Sequence, residues 1–181
     1  GFKGEVVTHN AVLLKNVAKN LPGNFSGSLR GEVICRLSVF EKYLSGLGFA
    51  NPRNTVSGTV RKKHGDTSLN KHFEILYYDI VAQGVEFETE KAKVEFMGEE
   101  LKVVVGKTYV DQEVDGIRRV FDEYAGDAEN GVRGKRYELD YGIDGLVVKA
   151  NDISYQNRLG EGGKEPRWAT AYKFPPERIE A

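Results

Sequence analysis

Two short segments near the end of the chain each place a lysine in what otherwise reads as a buried β-strand. The first is YGIDGLVVKAND, residues 141–152, and the second is WATAYKF, residues 168–174. Strand side chains alternate between two faces, so Lys149 shares a face with Gly145 and Val147. An unpaired ammonium group in an apolar core costs several kcal/mol. The strand therefore needs water or an anion beside Lys149.

The second segment repeats this pattern, because alternation gives it one bulky face and one bare face. The bulky face carries Trp168, Thr170, Tyr172 and Phe174, and the bare face carries Ala169, Ala171 and Lys173. A bare floor with one lysine from each strand would suit a phosphate group, which lysine binds as a point charge. Spacing leaves one alternative open, in which both are edge-strand lysines that discourage aggregation.

Helix and strand patterns alternate along the rest of the chain without a regular βα repeat, which favours an α+β fold. Further strands are predicted at residues 29–37, 73–82, 85–90, 93–96 and 101–110. Helices are predicted at residues 7–18, 38–48, 53–63 and 112–126. A glycine-rich loop is predicted at residues 160–167.

Two of the predicted helices have clear signals. Ser38 with Glu41 three positions later forms a capping box, and Gly48 is a typical C-terminal stop. The helix at 112–126 has an apolar stripe formed by Val114, Ile117, Phe121 and Tyr124.

Composition narrows the class of protein. The chain has 181 residues, of which 40% are hydrophobic and 29% charged, and this predicts one compact domain. Cys35 is the only cysteine, so an internal disulfide and a cysteine zinc cluster are excluded. There is no apolar run long enough to cross a bilayer and no signal peptide pattern, so we expect a cytoplasmic protein that does not bind membranes.

Charge argues against a dedicated nucleic-acid binder. The net charge is −1, whereas such domains are strongly basic. Positive charge concentrates locally in RKKHG, residues 61–65, and in RGKR, residues 133–136. Each cluster is either a solvated turn or a local contact surface.

Glu32 shares its predicted strand face with Arg30, and Gly31 between them permits a close backbone approach. Two interpretations stay open at this point. The pair is either an ion pair on the sheet surface or a site whose carboxylate holds a metal ion or a sugar hydroxyl.

Four motifs occur in an order that resembles the adenylation domain of bacterial NAD-dependent DNA ligases. They are RGEV (30–33), FANPRN (49–54), IDGLVVK (143–149) and WATAYKFP (168–175). GEVVTHN (4–10) also resembles the family segment that follows the nucleophile, although Val6 replaces a usual acid. The resemblance spans nearly the whole chain and is strongest at residues 30–61 and 143–175.

The resemblance implies an α+β covalent nucleotidyltransferase fold, with mainly antiparallel sheets and flanking helices, as a single adenylation domain over residues 1–181. The implied chemistry has three steps. A lysine attacks the adenylyl phosphorus of NAD and releases nicotinamide mononucleotide, AMP passes to a DNA 5′ phosphate, and a 3′ hydroxyl displaces AMP. NAD and magnesium are the implied cofactors, nicked double-stranded DNA is the implied partner, and a monomer is expected.

The resemblance also implies roles for individual residues. Lys149 and Lys173 are the expected catalytic residues, facing the adenylyl phosphate, and Glu32 is expected to contact the AMP ribose or magnesium. Arg30 is expected in the nucleotide site, and Asp144 is expected to orient Lys149 or to help bind the metal.

Three further residues have implied roles on the same basis. Arg53 and Arg61 match family arginines near the AMP and DNA phosphates, and Trp168 is expected to support the last strand. Lys149, Lys173 and Glu32 are predicted to line one cleft.

The chain departs from the family at its most important motif. The nucleophile of the family lies in Lys-x-Asp-Gly, but EVDG has Glu113 and GIDG has Gly142 in the lysine position. We therefore expect an adenylation domain that is incomplete at its N-terminus and begins downstream of the nucleophile. The mononucleotide-binding, OB-fold, zinc and helix-hairpin modules of the family are expected outside this chain, so the chain alone should bind DNA weakly.

Two other functions are compatible with these motifs. An ATP-dependent ligase or an RNA-capping nucleotidyltransferase shares the lysine-rich floor, but FANPRN and the aromatic last motif argue against it. A non-catalytic nucleic-acid or protein binding module on the same fold is the other alternative. A lysine motif upstream of Gly1 would favour the enzyme.

Overall fold

The computed structural model describes residues 4–23, 25–111, 113–127, 130–162 and 165–175. The chain divides into two compact units, Gly1–Thr108 and Tyr109–Ala181, and each has its own hydrophobic core. Helices and antiparallel strand pairs occur in both, which confirms the α+β class. The prediction of a single adenylation domain over residues 1–181 stays a prediction.

The first unit is built around one long pair of strands. Its elements are α1 (Thr8–Ala11), β1 (Gly27–Cys35), α2 (Leu37–Tyr43), α3 (Pro52–Val60), β2 (Phe73–Ala82) and α4 (Glu90–Glu95). Short 3-10 turns cover Ser45–Leu47 and Ser68–His72, and a π-helical turn covers Phe96–Glu100.

Strands β1 and β2 are antiparallel along their whole length, with a bulge in the middle. Arg30 pairs with Asp79 and Gly31 with Tyr77, so Tyr78 is an extra residue on β2. A side chain at position 31 would place its Cβ 2.9 Å from the carbonyl oxygen of Leu76. Glycine therefore lets the two backbones approach at the bulge.

Two clusters of apolar side chains form the core of this unit. One consists of Tyr77, Ile80, Met97, Leu101 and Val103, and the other of Leu14, Cys35, Leu44 and Phe73. Both clusters take side chains from β2, so this strand organises the unit.

The predicted helices are present, but their starts differ. The first helix is only four residues long, because the chain then continues through turns. Helix α2 has Arg36 as its N-cap residue, without a side-chain capping bond, so the predicted capping box at Ser38 is wrong. Gly48, with φ of 82°, ends the following 3-10 turn as predicted.

Helix α3 has a clear start signal that fixes the FANPRN segment. The side chain of Asn51 accepts a hydrogen bond from the Asn54 backbone N–H at 2.8 Å, and Pro52 occupies the first turn. This is a favourable N-terminus, because it satisfies an N–H group that has no partner inside the helix.

Three predicted strands after β2 are wrong. Residues 90–95 form α4, because Thr89 caps it by accepting a hydrogen bond from Ala92 N–H at 3.1 Å. Residues 85–88 form no strand, and residues 101–110 contribute only a parallel bridge between Tyr77 and Val105. Local capping therefore outweighs the β-propensity of this stretch.

A buried carboxylate joins three segments of the first unit. Glu74 on β2 accepts hydrogen bonds from Lys15 at 2.9 Å and from Arg36 at 2.7 and 3.0 Å. Its side chain is only 8% exposed. The hydrogen bonds from Arg36, aided by those from Lys15, hold the pKa of Glu74 below its ordinary value of 4.5 against the opposing effect of burial.

We expect Glu74→Gln to lower the free energy of unfolding at pH 7 by roughly 1–3 kcal/mol, because it leaves charged groups without their counterion. Since the folded-state pKa is lowered, the stabilisation is complete above the ordinary pKa of 4.5 and is lost as pH falls through the lowered value. Urea denaturation of both proteins between pH 3 and pH 8 checks this. The difference should shrink toward acid, and a constant difference would contradict the assignment.

The second unit consists of one longer helix and short strand pairs. Its elements are α5 (Val114–Ala125), β3 (Gly126–Asp127), β4 (Val132–Arg133), β5 (Gly145–Lys149), α6 (Ile153–Leu159), β6 (Glu161–Gly162), β7 (Glu165–Pro166) and β8 (Ala169–Lys173), with a 3-10 turn at Lys135–Glu138. The pairs β3–β4, β5–β8 and β6–β7 are all antiparallel. The predicted glycine-rich loop thus contains the short pair β6–β7.

Helix α5 provides most of the core of the second unit. Phe121 and Tyr124 are buried with Phe174, as the predicted stripe requires. Val114 is 70% exposed, so the buried stripe does not extend to the start of the helix. In the described part of the chain, no helix is long and apolar enough to span a bilayer.

Candidate functional site

The pairing of β5 with β8 places both sequence-predicted lysines on one face. Cα partners on that face are Gly145 with Lys173, Val147 with Ala171, and Lys149 with Ala169. The other face holds Leu146 with Tyr172 and Val148 with Thr170. The alternation predicted from the sequence is therefore confirmed for both strands.

The core of the second unit packs against part of the bulky face. The ring of Tyr172 stacks on that of Phe121, with centroids 3.7 Å apart, and Leu146 packs against the buried cluster. On the opposite face the side chain of Val147 is exposed. We call this second face the open face.

The side chains of the open face are short, except for one lysine at each end. The side chains between Lys149 and Lys173 are alanine, valine and glycine. Four strand positions separate the two lysine rows, or about 13 Å along the strands. Long lysine side chains can reach inward from both ends, so an anion of nucleotide size could lie between them.

Asp144 is placed beside Lys173. Its carboxylate lies 3.5 Å from the ammonium group, and its backbone oxygen accepts a hydrogen bond from Phe174 N–H at 2.9 Å. Both side chains of the ion pair are about 70% exposed, so solvent screens it strongly. The predicted role of Asp144 in orienting Lys149 or binding a metal ion stays a prediction.

Gly145 lets β5 and β8 approach each other at the Lys173 end of the open face. A Cβ at this position would lie 2.5 Å from the backbone oxygen of Tyr172 and 2.8 Å from the Cα of Lys173. Both are backbone atoms, which can move away only if the strand pairing itself shifts.

We expect Gly145→Ala to lower the free energy of unfolding by about 1–3 kcal/mol, as typical overpacking does. Gly142→Ala is the matched control, because a Cβ at position 142 would meet no atom within 4 Å beyond its chain neighbours. Urea denaturation followed by circular dichroism measures both variants. Equal stability of the two variants would contradict the close contact at Gly145.

Glu32 and Arg30 lie on the exposed face of the β1–β2 pair. The guanidinium of Arg30 lies 3.6 Å from the carboxylate of Asp79, which also accepts a hydrogen bond from Lys93 at 3.2 Å. The surface ion pair considered for Arg30 is thus formed with Asp79, while the Glu32 side chain is exposed.

Sequence reasoning missed Tyr78, which lies at the bulge opposite the Arg30–Gly31 step. Its side chain is half-exposed, whereas the adjacent Tyr77 is buried. An exposed tyrosine ring offers a flat apolar surface on which a planar base can stack. Alternation within the YY pair could have indicated this residue, but the bulge that adds it is invisible in the sequence.

Arg53 and Arg61 lie at opposite ends of α3. Arg53 is in its first turn and Arg61 is its C-cap residue, about 12 Å apart along the helix axis. Both side chains are exposed, so both are accessible to phosphate groups.

The second basic motif, RGKR, is partly structural. The guanidinium of Arg136 lies 4.7 Å from the ring centroid of Tyr137 and 4.9 Å from that of Phe174. Arg136 therefore packs on the aromatic core rather than serving as a free surface charge. Trp168, expected to support the last strand, is half-buried, and its carbonyl accepts a hydrogen bond from Ala150 N–H at 2.8 Å.

The predicted site residues are distributed over the two units. Lys149, Lys173 and Asp144 belong to the second unit, and Glu32 and the arginines belong to the first. Among the described residues, no three acidic, histidine or cysteine side chains cluster as metal ligands. The predicted magnesium ligands Glu32 and Asp144, and the single cleft, stay predictions.

Comparison with known proteins identifies the family. The family model of the NAD-dependent DNA ligase adenylation domain matches residues 1–177. The chain belongs to this family. The resemblance inferred from the four motifs is confirmed, and the mixed helices and antiparallel strands fit the nucleotidyltransferase fold.

Bacterial DNA ligases align with almost the entire chain. The DNA ligase of Thermosipho africanus is 33% identical over 189 residues, covering 100% of this chain and 27% of the relative. That of Wolbachia pipientis wMel is 35% identical over 177 residues, covering 96% of this chain and 25% of the relative. The adenylation-domain chain thus spans about a quarter of the length of the curated relatives that it matches.

Proposed function

We propose that this chain forms part of the adenylate-transfer site of an NAD-dependent DNA ligase that seals nicks during DNA replication and repair. The observation that supports this most directly is the open face, with Lys149 and Lys173 at its two ends. Family membership supports NAD as the AMP donor and DNA as the acceptor. A ligase acting on cellular DNA would work as a monomer in the cytoplasm.

The two lysines act by electrostatic stabilisation. Negative charge builds up on the oxygens of the adenylyl phosphate during each transfer, and protonated lysines placed beside it lower the energy of the transition state. Between the two lysines this face carries only small side chains, those of Val147 and the two alanines, which leaves room for the phosphate and ribose. Asp144 lies beside Lys173 at the end of the strand pair, with 3.5 Å between carboxylate and ammonium.

For the first unit by itself, family membership supports contacts to nucleotide and to DNA. Tyr78 would stack on the adenine ring, and Glu32 would accept a hydrogen bond from a ribose hydroxyl. Arg30, also expected in the nucleotide site, pairs in register with Asp79, the residue after Tyr78. Arg53 and Arg61 would contact phosphates of AMP and DNA. A nucleotide-bound structure in which the Glu32 carboxylate contacts no ribose hydroxyl would refute the role proposed for Glu32.

Two exposed carboxylates could each serve as a magnesium ligand. Glu32 and Asp144 offer exposed oxygen ligands, and magnesium is commonly held by one or two carboxylates together with substrate phosphates. When bound, the ion would neutralise phosphate charge.

We expect Lys149→Ala in the intact ligase to reduce the rate of adenylate transfer by roughly 100-fold or more, by analogy with loss of one oxyanion donor. Stability should change little, because a charge that serves the transition state contributes little to folding. Single-turnover kinetics and thermal denaturation measure the two effects. Lys91→Ala, on α4, is the control, and an unchanged rate with a lowered melting temperature would restore a purely structural role for Lys149.

The 181-residue chain alone should form no covalent adenylate, because it contains no Lys-x-Asp-Gly motif. A nucleophilic lysine must be deprotonated and in line with the phosphorus, whereas Lys149 and Lys173 serve as protonated charges. Incubation with adenine-labelled NAD and magnesium, followed by denaturation, tests this beside an intact ligase. Label on a lysine of this chain would overturn the assigned roles.

A non-catalytic nucleic-acid or protein binding module on the same fold is the second candidate, and it would be favoured if no Lys-x-Asp-Gly motif stood upstream of Gly1 in the intact protein. The two candidates differ in the intact protein. An enzyme forms the labelled adenylate in the presence of NAD, and a binding module does not.

A further inference from the structure

A line of four charged residues connects α4 with Arg30 on β1. The ammonium group of Lys93 donates hydrogen bonds to the carboxylates of Glu90, at 3.0 Å, and Asp79, at 3.2 Å. The second carboxylate oxygen of Asp79 lies 3.6 Å from the Arg30 guanidinium. Positive and negative groups alternate along this line, so the four charges sum to zero. We call these four residues the charge network.

The charge network is buried at its α4 end and exposed at Arg30. The side chains of Glu90, Lys93 and Asp79 are 11%, 16% and 17% exposed, whereas that of Arg30 is 66% exposed. Burial by itself would lower the pKa of Lys93, but the hydrogen bond and charge of Glu90, aided by Asp79, raise it above its ordinary value of 10.5. Lys93 is therefore a permanent cation beside Asp79 at neutral pH.

Local backbone structure fixes the buried end of the charge network. Thr89 caps α4 and so fixes the helix turn that carries Lys93. Asp79 lies at the bulge of β2 and is the register partner of Arg30. Register partners in an antiparallel pair point to the same face of the sheet. The strand pairing therefore presents Asp79 to Arg30 as an anchored counterion.

An anchored partner makes a difference for an exposed arginine. An ion pair between two flexible, exposed side chains contributes little, because both side chains lose freedom when it forms. Asp79 is already held by Lys93, so the pair has to order only Arg30. A guanidinium has five N–H donors, so a contact with Asp79 leaves others for a phosphate or ribose oxygen.

We propose that Asp79 is a positioning residue, which holds the Arg30 guanidinium ready for the nucleotide and is itself held by Lys93; this deepens the proposed function and rests on it. Arg30 is then ordered before the nucleotide arrives, so binding does not have to immobilise it. Lys93 also offsets the charge of the Asp79 carboxylate, which would otherwise repel the phosphates of an anionic nucleotide.

The order of Arg30 can be measured in the 181-residue chain without any nucleotide. NMR relaxation of the Nε–H groups gives an order parameter for each arginine, and Arg30→Lys identifies the Arg30 signal. In the unmodified chain we expect Arg30 to be more ordered than Arg53, which is exposed in the first turn of α3. Asp79→Asn, which keeps the size of the side chain, should lower the order of Arg30. Lys91→Ala, which removes the exposed Lys91–Glu95 ion pair of α4, should leave it unchanged.

Kinetics of the intact ligase then connect this order to nucleotide binding. Asp79→Asn should raise the KM for NAD by about 2- to 10-fold, the cost of immobilising one long side chain, and leave kcat nearly unchanged. Asp79→Glu, which keeps the charge, should restore most of the affinity. In an Arg30→Ala background, Asp79→Asn should have no further effect, because Asp79 acts through Arg30.

Three results would overturn the proposal. Arg30 could be no more ordered than Arg53, or unchanged by Asp79→Asn, so that the ion pair does not hold it. A lowered Tm with an unchanged KM in Asp79→Asn would show a purely structural role. An equal rise in KM with and without Arg30 would show that Asp79 contacts the nucleotide itself.

The two experiments separate this proposal from the proposed function. An intact protein that transfers no adenylate would refute the proposed function. The relaxation measurement contains no NAD, so it decides by itself whether Asp79 orders Arg30.

Discussion

The antiparallel pairing of β5 with β8 is the constraint on which the candidate site depends. It sets Gly145 opposite Lys173 and Ala169 opposite Lys149, so the largest side chains of both strands fall on the face that packs against α5. A slip of one residue in either strand would exchange the two faces of that strand and bury its lysine. The stack of Tyr172 on Phe121 opposes such a slip. Packing on the bulky face therefore keeps the lysines on the open face.

In the first unit, too, the register of a strand pair decides which side chains are buried, and the pair β1–β2 contains a bulge. The extra residue in β2 leaves Tyr77 in the core and Tyr78 half-exposed beside Arg30. Buried polar groups then hold the surrounding segments to this strand pair. The side chain of Asn16, for example, exchanges two hydrogen bonds with the backbone of Ile75, at 2.7 and 2.9 Å.

Positive charge is used in three ways in this chain. On the open face, Lys149 and Lys173 lie at the two ends of a surface whose other side chains are small. Arg136 instead packs on Tyr137 and Phe174, where its guanidinium contributes to folding. After α3, Lys62 is exposed, but its backbone carbonyl accepts a hydrogen bond from the buried Asn10 side chain. The net charge of the chain is close to zero, but the local charge differs between these surfaces.

The sequence by itself determined the alternation of β5 and β8, a helix that begins near residue 53, and the order of the family motifs. Tertiary structure decided the bulge at Tyr78, the pairing of Asp144 with Lys173 and the convergence of Lys15 and Arg36 on Glu74. The physical reason is range. Strand alternation and helix capping act over two to four residues, whereas Glu74 meets partners 38 and 59 positions away, which only the folded chain brings within hydrogen-bond distance.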